Sequence, residues 1–503
     1  MKLFYQSILI TLLSITSLYG QDVIKGVIVD AETQDPLPYT NIILNNSRKG
    51  TVSNSEGKFA FSIKNIDEND SLTFYFGGYS PVKVRIRELP ENSKISLHPN
   101  VMNLDEVEVT DKDISPKDIV ALIEDNFSKN YQDLPSHEDF MFVHHFGKVA
   151  LDKAIMNPMT IKKSSFDGID QETLNNVMNM MPDEFIDYSD VQLYLLHHQD
   201  STKLKPYKAI SLEESTASKA YDELSKKFEF LLDDMESTFA DDDVYYRFKM
   251  GIISTKIRGD SSDITKEDEP RRDSTSFQMV TSYVKGGIRS TAKDYADIDS
   301  KNWEFITKRG KYKYEIKGVS MYDDDVVYLI HFTPKNGGLF KGSMYVSTET
   351  YAILSLDFEY APDKEGRDIH LFGFGYTELF KKGRVIFQKD KDKYYLKYLK
   401  AVEHTSFSVE RSFSILKKRK RFLVDKTMNE VKVRFNIVAN SEDTREILVI
   451  ERKDLTDKDY KEFTQPKKVK FEKVVTSKGY DWGQGTILEP TKELQEYKRK
   501  QVN

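Results

Sequence analysis

Apolar and polar residues alternate with a period of two through long stretches of this chain, and that alternation commits it to sheet. Tyr312, Tyr314 and Ile316 alternate with Lys311, Lys313 and Glu315, and Val431, Val433, Phe435 and Ile437 share one face of a later segment. Near the start, Val82, Val84 and Ile86 alternate with Lys83, Arg85 and Arg87. Successive side chains of a strand point to opposite faces, so such segments bury one face and wet the other. Further strands are predicted at Tyr328 to Phe332, at Gly342 to Tyr360 around a short turn, at Tyr394 to Val402 and at Phe407 to Phe413, with Asn336-Gly337-Gly338 as a turn. The 28 Tyr and 30 Phe, against two Trp, favour the same extended structure. The reading is a mainly β protein with helical insertions, its large antiparallel sheet spanning residues 276–440.

Before that sheet, residues 115–275 read as mixed helix and strand. Ser115-Pro116-Lys117-Asp118 opens a helix, with Ile119, Leu122, Ile123 and Phe127 as its stripe and Asn130-Tyr131 as its end. Glu138 to Ala150 reads as a strand. Leu212 to Phe239 is the most helix-like stretch, with Phe228, Leu231, Leu232 and Met235 on one face, and the charged segment Gly259 to Ser274 is a loop or linker. Residues 441–503 read as a tail with a short helix from Thr491.

Residues 1–20 run from Met1-Lys2 through the apolar Ile8 to Ile15 to Leu18-Tyr19-Gly20, the order of a secretory signal peptide. Their apolar core is shorter than the roughly 20 residues a spanning helix needs. No later segment is apolar enough to cross a membrane as a helix. The chain ends Lys498-Arg499-Lys500-Gln501-Val502-Asn503, without the terminal aromatic strand of an outer-membrane barrel. With no cysteine, disulfides, thiolate metal sites and a lipoprotein export signal are all excluded. A net charge of −7 over 503 residues predicts no nucleic-acid partner.

The N-terminal pieces Gly26-Val27-Ile28-Val29-Asp30, Pro36-Leu37-Pro38-Tyr39-Thr40-Asn41-Ile42, Gly50-Thr51, Ser53-Asn54-Ser55-Glu56-Gly57-Lys58-Phe59 and Gly77-Gly78-Tyr79 are short strands joined by turn residues. Together they resemble the carboxypeptidase regulatory-like domain, a transthyretin-like sandwich of bacterial envelope proteins. The resemblance covers residues 21–99 and implies a seven-stranded-type β-sandwich, with residues 100–114, including Leu104 to Thr110, as a linker. It implies no peptidase chemistry. The Tyr328 to Tyr360 hairpins are faintly similar to lipoprotein carriers, which implies a curved half-barrel with an apolar concave face.

A zinc carboxypeptidase would need His-x-x-Glu and a distant His. None of the nine histidines has Glu at that spacing, and the nearest imitation, His197 with Asp200, reads as a polar patch at a helix end or loop. His144-His145 reads as alternating strand faces, Met178, Met180 and Met181 as irregular core filling, and Asp241-Asp242-Asp243 and Asp323-Asp324-Asp325 as solvated turns without an EF-hand loop. Lys417-Lys418-Arg419-Lys420-Arg421 reads as a charged hairpin connection, with contact to anionic lipid as the functional alternative. Gly373-Phe374-Gly375 lacks the third glycine of a nucleotide loop.

No catalytic, cofactor-binding or metal-binding residue is assigned, and no cofactor. The leading expectation is a non-enzymatic binding, scaffold or assembly protein, in the periplasm or at the outer membrane of a Gram-negative bacterium, with a protein or lipid partner in the envelope. A lipid or lipoprotein carrier, and a hydrolase using an unrecognised carboxylate pair, are the alternatives.

Overall fold

The computed structural model describes residues 23–474 except 91, 103–113, 133, 153–158, 182, 213–242, 252, 258–275, 324 and 336. The signal peptide, the Leu104 to Thr110 linker, nearly all of the Leu212 to Phe239 helix, Asp241-Asp242, the Gly259 to Ser274 loop and the C-terminal helix therefore lie outside the described residues.

Seven short strands form the N-terminal sandwich. They are β1 (Val23–Asp30), β2 (Asn41–Leu44), β3 (Gly50–Val52), β4 (Lys58–Ser62), β5 (Ser71–Tyr75), β6 (Val82–Arg85) and β7 (Ser93–Leu97). One sheet has the order β4-β1-β7 and the other β3-β2-β5-β6. Between them lies a core that includes Ile28, Ile42, Phe59, Phe61, Leu72 and Phe74. Gly57, at φ 71°, makes the turn into β4 where the sequence requires a left-handed residue.

The second body begins at β8 (Val101–Met102), followed by helix α1 (Pro116–Tyr131), β9 (His137–Leu151), β10 (Met159–Ser164), helix α2 (Gln171–Met180), β11 (Glu184–His198), β12 (Ser201–Leu212), β13 (Val244–Met250), β14 (Ile253–Ile257) and β15 (Ser276–Val280). Helices α3 (Thr281–Ala296) and α4 (Glu304–Thr307) come next. The chain then runs through β16 (Tyr312–Tyr322), β17 (Asp325–Pro334), β18 (Phe340–Ser347), β19 (Ile353–Tyr360), β20 (Asp368–Leu371), β21 (Phe374–Asp390), β22 (Lys393–Arg419) and β23 (Lys426–Asp454). Helix α5 (Asp457–Glu462) and β24 (Lys468–Val474) close the described chain.

Strand pairing runs without a break through β8, β16, β17, β18, β19, β21, β22, β23, β9, β11, β12, β24 and β15. Its pairs are antiparallel except β12 with β24. Among the described residues no ladder joins β15 back to β8, so the sheet is not a closed barrel. Helices α1, α3 and α4 pack into the main core through Ile119, Val120, Ile123, Phe127, Ile288 and Phe305, with Trp303 fully buried beside them. Ser115 caps α1 as expected, its Oγ accepting the Asp118 amide proton at 3.2 Å.

Several segments extend further than the sequence suggests. Tyr394 to Val402 and Phe407 to Phe413 are parts of one strand, because the polar Glu403-His404-Thr405-Ser406 between them stays paired to β21 and β23. The large sheet also runs past residue 440, since β23 continues to Asp454 and β24 pairs with β12 and β15. Residues 115–275 contribute β9, β11 and β12 to that same sheet. Local patterns end a strand at a polar run, but neighbouring strands supply backbone partners that keep it extended.

The sandwich is docked on this sheet rather than tethered beside it. Tyr39 stacks on Tyr398 with ring centroids 5.6 Å apart, and the Arg384 guanidinium lies 5.0 Å from the Tyr39 ring. Arg48 donates to Asp390 at 2.8 Å and to Asp454 at 2.7 Å, and Gln388 donates to the Ser47 carbonyl at 3.0 Å. Val52 of β3 belongs to the main core. At Gly77 a Cβ would stand 2.4 Å from the Tyr345 ring, so only glycine allows this approach.

Candidate binding site

Strands β11, β9 and β23 are neighbours, and their register gathers four polar side chains. His197 lies opposite His137, and Asp139 lies opposite Arg452. His137 and Asp139 are two residues apart and therefore share a face of β9. Arg452 grips Asp139 with two bonds, Nε to Oδ1 at 2.6 Å and an Nη2 to Oδ2 at 2.7 Å, and both residues are buried. The guanidinium also lies 4.0 Å from the Tyr395 ring. Burial opposes charge on Asp139, but the Arg452 contact wins and holds its carboxyl below the usual range.

The two imidazoles stack, with centroids 4.5 Å apart. His137 Nδ1 donates to the Pro135 carbonyl at 2.7 Å, which leaves Nε2 bare 3.6 Å from Asp139. Burial drives His197 down to about 4 and lowers His137, in each case against the pull of Asp139. Both rings are thus neutral near pH 7.

These groups line one end of a cavity of about 720 Å³ between the helices and the sheet. Its remaining wall is apolar along Phe127, Met141, Leu195, Ile288, Phe387 and Val449, and charged where Arg289, Lys293, Asp297 and Asp299 line it. Tyr395 also lines this cavity, and its hydroxyl, closed off from solvent, has no hydrogen-bond partner among the described residues.

Could the cluster hold a metal? His137, Asp139 and His197 each offer a ligand atom, all within 4.8 Å of one another. Two imidazoles and a carboxylate are a usual ligand set for divalent transition metals. Here both oxygens of Asp139 already accept from Arg452, and a dication would sit against a guanidinium. The residues do not fit a metal.

Lys397, fully buried behind this wall, has a structural job. Leu396 pairs with Phe387 and Tyr398 with Ile386, so Lys397 is the extra residue of a bulge. Ile450 is likewise skipped where Val449 and Glu451 pair with Met141 and Phe140. The Lys397 Nζ donates to the Val449 carbonyl at 2.6 Å and approaches that of Ile450 at 3.5 Å, so it supplies the donor missing from the second bulge. Burial pushes its ammonium down to about 7.

The residues singled out from sequence are dispersed. His197 belongs to the cluster and Asp200 does not; the pair sits at the end of β11 and in the turn after it, not at a helix end. His144 bonds Asp190 at 2.6 Å, and Tyr188 donates to the same carboxylate at 2.5 Å. His145 meets Asp443 at 2.9 Å from the opposite face, as alternation requires. Met178 and Met181 are half-buried at and after α2, away from the cavity lining. Asp323 forms a turn, but Asp325 is not solvated: it is buried and accepts from Lys389 and Tyr394, both at 2.8 Å. Gly373 turns a β-hairpin. The basic run ends β22 and enters the turn to β23.

His137-x-Asp139 is a strand spacing, unlike the His-x-x-Glu of a zinc carboxypeptidase, so the cluster has no such signature in the sequence. Arg452 and Tyr395 carry no signal until register places them.

Residues 24–109 match the model of the CarboxypepD_reg-like domain. Comparison with curated proteins gives no match. Among solved structures, the MucA/MucB complex of Pseudomonas aeruginosa aligns at 8% identity and a TM-score of 0.19, covering 65% of this chain and 93% of that one. A membrane-associated protein of unknown function from Bacteroides fragilis aligns at 11% identity and a TM-score of 0.13, covering 83% and 96% respectively. Among the described residues no helix is long and apolar enough to cross a membrane.

Proposed function

We propose that this is a non-enzymatic binding protein of the cell envelope, exported by its N-terminal segment, whose cavity takes a small amphiphile. The observation that carries this reading is a cavity of about 720 Å³ whose apolar wall is closed at one end by the buried His137, Asp139 and Arg452 and the half-buried His197. Apolar pockets with a few convergent polar groups are the usual form of a ligand site. A catalytic reading has less support. A general base works best with a pKa near the operating pH, whereas His197 sits at about 4 and the Asp139 carboxylate is committed to Arg452. The regulatory-like sandwich serves as a fixed wall of the body.

The test is extraction and mass spectrometry of small molecules that co-purify with the native protein. Wild type is expected to carry a bound amphiphile, and Leu195→Trp, which fills the cavity, is expected to lose it. Equal ligand content in wild type and Leu195→Trp would reject the site.

A further inference from the structure

At the turn between β22 and β23, Phe422, Leu423 and Val424 stand 101, 86 and 77% exposed. No other trio of consecutive large apolar residues is so bare among the described residues. The turn crowns the longest hairpin of the fold. Lys417-Lys418-Arg419-Lys420-Arg421 leads into it and Lys426 follows. Lys256 of β14 adds a further cation, its Nζ lying 4.1 Å from the Tyr245 ring of β13.

The backbone of the turn is built, not frayed. Tyr245 donates its hydroxyl proton to Asp425 Oδ2 at 2.5 Å, and Asp425 Oδ1 accepts the Arg421 amide at 3.3 Å. The Lys420 amide donates to the Asp243 carbonyl at 2.7 Å. Further down the hairpin, Phe166, Ile169, Tyr246 and Val431, with Ile161 and Ile415 packed against them, form a separate small core joining β10, β13, β22 and β23. A packed support therefore holds three apolar side chains in water inside a band of cations.

We propose that this turn is a membrane-docking element: Phe422, Leu423 and Val424 enter the interfacial layer of an anionic bilayer while Lys420, Arg421 and their neighbours meet the headgroup phosphates. Each half of the arrangement is costly or weak alone and complementary to such a surface. Apolar side chains gain by leaving water, and clustered Lys and Arg are drawn to anionic lipid. An uncharged protein groove would match the apolar trio without using the cations. The exposed turn at Leu371-Phe372 differs, because the Arg411 guanidinium lies 5.9 Å from the Phe372 ring and no basic run flanks it. The proposal does not rest on the cavity.

The test is sedimentation of the full mature chain with vesicles of phosphatidylcholine alone or mixed with phosphatidylglycerol. Binding is expected only to the anionic vesicles and should weaken as salt shortens the screening length. The triple variant F422S/L423S/V424S and the double variant K420E/R421E are each expected to bind at least about tenfold more weakly, with unchanged circular dichroism and melting because the altered side chains are exposed. In the Leu423→Trp variant, the added indole should shift to the blue and be quenched by lipids brominated on their acyl chains. Wild-type affinity in the triple variant, binding equal for both vesicle types, or an unquenched indole would overturn the proposal. So would full competition by free inorganic phosphate. If the triple variant loses self-association in sedimentation velocity while wild type ignores vesicles, the turn is a protein interface and the proposal falls.

Discussion

Removing either partner of the Asp139 and Arg452 pair should cost far more than removing both. The two groups are 4% and 7% exposed and joined by bonds of 2.6 and 2.7 Å. With charge centres roughly 4 Å apart and an effective dielectric constant near 20, their attraction is on the order of 4 kcal/mol. Arg452→Met strands a buried carboxylate and Asp139→Leu strands a buried guanidinium, at about 3–5 kcal/mol each. Arg452→Met should lie at the upper end, since it also removes the cation from the Tyr395 face. The double variant replaces the pair by apolar side chains and is expected within about 2 kcal/mol of wild type, so the coupling energy is roughly 4 kcal/mol or more. The assay is guanidinium unfolding at pH 7.5, followed by the fluorescence of Trp303, which is fully buried in the main body. A Trp482→Phe background removes the second tryptophan. If the single losses add in the double variant to within about 0.5 kcal/mol, the pair is not acting as one desolvated unit and the electrostatic account of this site is wrong.

Two pH dependences follow from burial. His197 falls from 6.5 to about 4 on folding, so as pH drops between those values the unfolded chain takes up a proton that the folded chain refuses. Stability should decline across that window by roughly 3 kcal/mol, at about 1.4 kcal/mol per pH unit, and His197→Gln should remove that share of the acid sensitivity in parallel unfolding titrations. For Lys397 the folded value of about 7 lies below the unfolded 10.5, so between them the unfolded chain again holds the extra proton and stability should rise with pH. Lys397→Met should flatten that rise by up to about 1.4 kcal/mol per pH unit, and should lower stability at pH 10 by about 1–3 kcal/mol because the Val449 carbonyl loses its donor. A slope unchanged by the substitution would show that Lys397 keeps its proton in the folded state.

Local chemistry decided much of this protein before any contact formed. Period-two alternation dictated strands, Asn54 to Gly57 dictated a turn, and Ser115-Pro116 dictated the start of α1, because each depends on residues only a few positions apart. The sandwich was legible for the same reason, as was the basic run as a hairpin connection. Tertiary structure alone decided what long-range register controls. Which strands became neighbours placed His197 beside His137 and Arg452 beside Asp139, across 60 and 313 residues of chain, at one end of a cavity. The polar runs at Glu403 to Ser406 and past residue 440 stayed extended because flanking strands met their backbone groups. Likewise nothing local to Phe422-Leu423-Val424 tells whether they are covered. Only the packed arm behind them revealed that nothing else in the described chain covers them.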